Sequence, residues 1–66
     1  MKICELLDVL PADQRIKIMF PVDRLICSTE EMSAAAFLKD KEENKQFSNR
    51  EIRLVSLKNS LLTLFL

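Results

Sequence analysis

The sequence predicts a single α+β domain, ordered helix, β-hairpin, helix, β-hairpin, with a small four-stranded antiparallel sheet and the helices packed on one face. Three features of the chain lead to it. Sixty-six residues are room for one core and no more. Apolar residues recur with helical spacing in two segments and form strand-length runs in four others. The chain has no glycine, so every turn must be built from Asn, Asp, Pro and Ser.

The first helix is read from Ile3, Leu6, Leu7 and Leu10, which fall on one face while Glu5 and Asp8 point away. Pro11 ends it by pushing the preceding residue out of the α region. In Gln14–Phe20, Ile16, Ile18 and Phe20 alternate with Arg15, Lys17 and Met19, the period of a half-buried strand. Pro21-Val22-Asp23-Arg24 has turn chemistry, and Leu25-Ile26-Cys27 returns as the second half of a hairpin.

Ser28, with Glu31 three residues on, reads as a capping box opening a second helix. Met32, Ala35, Ala36 and Lys39 follow the helical period, with Phe37 and Leu38 widening the apolar face, so the helix should run to about Lys39–Glu43. Lys39–Gln46 is a charge run, read as a solvated helix end and loop. Glu51–Leu57 supplies a third strand and Leu61–Leu66 a fourth. Lys58-Asn59-Ser60 turns between them, Asn59 being suited to a left-handed conformation.

Composition is that of a folded domain, with 48% hydrophobic and 30% charged residues. Domains of this size recruit disulfides, metals or a second subunit to supplement a thin core. The opening Met1-Lys2-Ile3-Cys4-Glu5 moves directly into charged amphipathic sequence, so no secretory signal is read and a reducing compartment is expected. Cys4 and Cys27 then read as reduced, mostly buried hydrophobes. With two cysteines and no histidine, no zinc tetrahedron closes. A second subunit is the option left. No run approaches the ~20 apolar residues of a membrane-spanning helix, so no membrane partner is expected.

Ten basic and ten acidic residues cancel. Residues 1–38 hold four basic and six acidic groups, and 39–66 hold six and four, an ordinary asymmetry. Neutrality weighs against nucleic acid as the main ligand, since phosphate neutralisation supplies most of that affinity. A local patch stays open as an alternative, formed by Arg15, Lys17, Arg50 and Arg53 if the hairpins lie side by side. Phe47, between Lys45 and Arg50, is the one aromatic that could stack on a base, but a core or lid role is the preferred reading of it.

Catalytic chemistry is thinly represented. Without histidine there is no Ser-His or Cys-His dyad, and without glycine no phosphate-cradling loop. Nothing near Cys4 or Cys27 in sequence marks a nucleophile. The carboxylates of Glu30/Glu31 and Glu42/Glu43 are adjacent and so do not share a helix face. The chain reads as a non-enzyme that needs no cofactor.

Ile3-Cys4-Glu5-Leu6-Leu7-Asp8-Val9-Leu10, then Ile16-Lys17-Ile18, Phe37-Leu38, Asn49-Arg50-Glu51-Ile52 and a closing hydrophobic hairpin together resemble a group of very short phage and prophage proteins of Firmicutes. The likeness covers most of the chain. One departure is Ser28-Thr29, where those proteins often carry a glycine entering the second helix. The resemblance implies an accessory protein of viral or mobile-element origin in the bacterial cytoplasm, acting by occupying a macromolecule. An inhibitor of a host defence system is one such role. A nucleotide- or nucleic-acid-binding module is the alternative.

Along the final strand Leu62, Leu64 and Leu66 face one way and Leu61, Thr63 and Phe65 the other. Two helices cover one face of a sheet, so the leucine stripe is expected to be an open patch that seeks a partner, either a second copy in a homodimer or a host protein.

Overall fold

The alternation of Ile16, Ile18 and Phe20 with Arg15, Lys17 and Met19 produces the strand around which the rest is arranged. In the computed structural model, which describes residues 1–40 and 44–66, the elements are α1 (Ile3–Val9), β1 (Arg15–Val22), β2 (Leu25–Ser28), β3 (Met32–Ser33), α2 (Ala34–Lys39), α3 (Lys45–Ser48), β4 (Leu54–Lys58) and β5 (Leu61–Phe65). The sheet order is β2-β1-β5-β4, and β3 pairs the beginning of β1. Both expected hairpins form: β1 with β2 and β4 with β5, each antiparallel.

The hairpins join in a way the sequence did not indicate. β1 and β5 run parallel, with Ile16 opposite Leu62 and Ile18 opposite Leu64. The sheet is therefore mixed and has five strands, which corrects the expected four-stranded antiparallel arrangement. Parallel neighbours need a long crossover. Here it comes from the segment after β3, which carries the chain back along the sheet so that β4, one strand removed from β1, starts level with Met19 and the β4–β5 turn returns β5 alongside β1.

The second helix starts later than its capping box suggests. The Thr29 N–H donates to the Ile18 carbonyl at 2.9 Å, and the Ile18 N–H donates to Thr29 Oγ1 at 3.1 Å. Met32 then pairs with Ile16. The sheet thus claims residues 28–33, and a ladder that also brings Met32 onto the core outweighs a local cap on an exposed turn. The helix begins at Ala34, with Ser33 Oγ accepting from the Ala36 N–H at 3.1 Å. At its far end Asn44 Nδ2 donates to the carbonyls of Phe37 and Asp40, at 3.2 and 3.1 Å, which satisfies terminal carbonyls. Lys41, Glu42 and Glu43, the middle of the charge run and the far limit expected for this helix, lie outside the described residues. A third helix, α3, emerges from the end of that run because Phe47 anchors it.

All three helices pack on one face. The core comprises Ile3 and Leu7 of α1, Ile16 and Ile18 of β1, Ala34 and Phe37 of α2, Phe47 of α3, and Leu62, Leu64 and Leu66. Among the described residues no polar or charged side chain is buried. Cys4 and Cys27 have free thiols and are only partly buried, less so than expected.

The N-terminal segment is tied to the approach to β4. Lys2 bridges to Glu51, the Ile3 N–H donates to the Arg50 carbonyl at 3.2 Å, and the Ile52 N–H donates to the Met1 carbonyl at 2.9 Å. The Met1 amine also pairs with Glu51 Oε2 at 2.8 Å. This hydrogen bond, helped by the opposite charges, raises the amine above its ordinary value and holds the Glu51 carboxyl below its own. The pair contributes while both groups are charged. It is lost as pH falls through the lowered carboxyl value or rises through the raised amine value, and full exposure keeps its effect small.

The β4–β5 turn is built on Asn59 (φ 51°) and Ser60 (φ 64°). Two successive left-handed residues make the turn that suits a two-residue hairpin. Asparagine tolerates this, whereas serine has no special accommodation for it. Ser60→Gly should therefore stabilise the domain by about 0.5–1 kcal/mol, after allowance for the freer unfolded chain. Thermal melting should show a midpoint a few degrees higher, and an unchanged or lower one would mean that Ser60 is not strained.

Candidate functional site

Leu62, Leu64 and Leu66 are not an open stripe. They are 8%, 0% and 8% exposed and lie under the helices. Their parity matches that of Ile16 and Ile18 across the parallel pairing, and this shared face is the one the helices cover. The uncovered set is the other one, Leu61, Thr63 and Phe65, each half-buried. One face does stay open, as expected, but it is the opposite one.

Paired residues share a face, so the strand register maps this surface. Arg15 lies beside Leu61 and Leu61 beside Lys58; Lys17 lies beside Thr63 and Thr63 beside Ser56. Further along, Ser28, Met19, Phe65 and Leu54 form a row across all four main strands, with Pro21 and Ile26 beyond it. The face is thus divided. One end is cationic, with Arg15, Lys17 and Lys58, and the other apolar, with Met19, Pro21, Ile26, Leu54 and Phe65. Ile26 and Leu54 are 66% and 61% exposed, and no described helix lies over them.

Not one acidic residue sits among these strand positions, although the whole chain has as many acids as bases. Arg15, Lys17 and Lys58 make no ion pair among the described residues; the Met1–Glu51 salt bridge lies elsewhere. A neutral chain therefore carries a cluster of cations on this face, because no strand of the sheet contains a carboxylate.

The remaining candidate residues are dispersed. Phe47 is buried at 6% exposure, its ring centroid 5.1 Å from that of Phe20 and tilted by 52°. This is core packing, and the ring is not available to stack on a base. Arg50 is exposed beside the helical layer, its N–H donating to the Phe47 carbonyl at 3.0 Å. The Arg53 N–H donates to the Phe65 carbonyl at 2.7 Å. Phe65 is four positions along β5 from Leu61, the neighbour of Arg15, a separation of about 13 Å. The hairpins do lie side by side, but parallel joining sends Arg53 to the opposite end of the sheet from Arg15 and Lys17. The four-residue basic patch of the alternative reading is therefore not formed, and Arg15 and Lys17 cluster with Lys58 instead. Lys58 had read only as a turn residue; its parity with Leu61 becomes visible once the hairpin register is known.

Elsewhere the surface offers shallow hollows. One of about 460 Å³ between α1, α2 and α3 is lined by Cys4, Asp8, Phe37, Leu38, Lys45 and Ser48, among others. It brings a thiol, a carboxylate and an ammonium to one opening, but no hydrogen bond or ion pair joins them. Among the described residues no group of three or more Cys, Asp or Glu side chains is placed to hold a metal ion. No described helix is long and apolar enough to cross a membrane. Comparisons of the chain with family models, with curated proteins and with solved structures return no match, so the geometry of the open face carries the functional reading.

Proposed function

We propose that this domain is a non-enzymatic binding module that docks an acidic protein surface on its open sheet face. The observation that carries this reading is the pairing of an acid-free cluster, Arg15, Lys17 and Lys58, with an apolar end in which Pro21, Ile26 and Leu54 are exposed and Met19 and Phe65 half-buried. Apolar area supplies affinity, and unpaired cations at one end supply orientation and select for carboxylates. A protein partner suits the face better than a polynucleotide, because most of the apolar end is aliphatic and offers no ring to stack on. The accessory role implied by the phage resemblance, up to inhibition of a defence protein, is compatible with action by occupation alone.

The second reading, single-stranded nucleic acid, is favoured by the same cations on one sheet face with the half-buried Phe65 ring of a central strand. Two exposed substitutions on the open face, Arg15→Glu and Ile26→Asp, separate the readings when compared with Glu5→Lys on α1. In quantitative affinity capture from a bacterial lysate, both open-face variants should lose the same acidic protein while the α1 variant retains it. Retention by both open-face variants at the unaltered level would overturn the proposal. Salt-sensitive binding of a fluorescent single-stranded oligonucleotide, abolished by Arg15→Glu, would favour the second reading instead.

A further inference from the structure

A different part of the sheet, its β4 edge, carries an inference that does not depend on what the open face binds. β4 has β5 as its one strand neighbour, and all five of its residues are exposed. Protected edge strands are short, charged, bulged or covered. This one reads Leu54-Val55-Ser56-Leu57-Lys58, with Val55 and Leu57 46% and 67% exposed on the helix side, where the helices stop short of the edge.

The hairpin determines which backbone groups of β4 point outward. A two-residue turn closes on a hydrogen-bonded pair, here Lys58 with Leu61, and bonded and non-bonded pairs then alternate along an antiparallel ladder. Lys58, Ser56 and Leu54 therefore turn their N–H and C=O groups toward β5. Val55 and Leu57 turn theirs away from the sheet, where no neighbouring strand receives them.

We infer that two copies of this chain pair through β4, antiparallel and centred on Ser56, to form one continuous sheet. The strand is self-complementary about that residue. The two-fold places Val55 of each copy opposite Leu57 of the other, so the outward N–H and C=O groups meet as two hydrogen-bonded pairs. The same pairing sets two exposed apolar side chains against two others on the helix side. On the open face it sets Ser56 against Ser56 and Lys58 against Leu54, so no like charges stand directly opposite. The other edge lacks this match: a two-fold about Cys27 in β2 would set Ile26 against Ser28, and its strand is four residues long. Because paired residues share a face, the open faces of the two copies lie on the same side. The dimer thus presents one doubled surface with its two Lys58 side chains near the seam.

Analytical ultracentrifugation of the full chain should show a mass moving from 7.7 kDa toward twice that value as concentration rises. Val55→Pro removes an outward N–H that β5 does not use, and Leu57→Lys puts a charge on the edge. Each should abolish the shift while keeping a cooperative thermal transition, and Leu57→Lys carries the comparison alone if the proline variant fails to fold. In a Cys4→Ala/Cys27→Ala background, Ser56→Cys should oxidise to a covalent dimer, since non-bonded antiparallel pairs bring Cα atoms to about 4.5 Å. Leu54→Cys should not. Arg15→Glu, which tests the open face, should leave the mass shift unaltered, so failure of one proposal is separable from failure of the other. A chain that stays at the monomer mass up to millimolar concentration, or a dimer that survives Leu57→Lys, would overturn the inference.

Discussion

Deleting Leu64-Phe65-Leu66 should leave a chain with no cooperative unfolding transition. Leu64 is fully buried and Leu66 nearly so, and Phe65 is half-buried on the open face. A buried leucine or phenylalanine contributes about 1.5–3 kcal/mol, so the three together account for roughly 4–7 kcal/mol. A domain of this size has only about 3–5 kcal/mol of net stability. The deletion also removes the parallel neighbours of Ile18 and Met19 and the antiparallel neighbours of Val55 and Leu54, so both hairpins lose their junction. Calorimetry of the truncated chain is the measurement, and a sharp endotherm near that of the full chain would show the last three residues to be dispensable. Leu64→Lys should fail in the same way. Had the leucine stripe been open, that substitution would have altered association and left the fold intact. At 0% exposure it must instead place a charge in the centre of the core.

Phe37→Ala should be the most damaging single truncation in the helical layer. Phe37 is the largest fully buried side chain and anchors α2, a helix of six residues that has little stability of its own. Loss of a buried phenylalanine costs about 3–5 kcal/mol, including the cavity left behind. The variant should be largely unfolded at 25 °C, with loss of dispersion in its amide NMR spectrum. Val9→Ala on α1, at 75% exposure, is the matched control and should stay within about 0.5 kcal/mol of the parent. A well-dispersed Phe37→Ala spectrum would mean that the core closes around the gap.

Each prediction depends on how far local pattern and global arrangement agree. The period-2 run from Arg15 to Phe20 was enough to place β1. The chain's alternating and apolar runs also placed both hairpins, the opening helix and the left-handed turn at Asn59. These signals are local: a strand's alternation and a turn's dihedral preference are written in neighbouring residues. The two faces of β5 were legible as two sets, Leu62/Leu64/Leu66 and Leu61/Thr63/Phe65. Which set is covered was not, because both are apolar enough for a core and parity alone does not say where the helices lie.

Local signals misled where a long-range partner competed. Ser28 and Glu31 make a plausible capping box, but β1 offers the same backbone a ladder, and Ser33 caps the helix instead. Phe47 takes the core role read for it, but the short helix that forms around it was not read, because contact with Phe20 and the core, not local propensity, orders that segment. The basic residues separated for the same reason: Arg53 and Arg15 are alike in sequence, and only the parallel joining of β1 to β5 places them at opposite ends of the sheet. By itself the sequence determined the α+β class, the hairpins, the residues able to form a core, and the lack of histidine and glycine on which its non-enzymatic reading rests. The tertiary structure alone decided the parallel seam, the covered face, the acid-free cluster of Arg15, Lys17 and Lys58, and the open β4 edge, because these follow from pairing between segments dozens of residues apart.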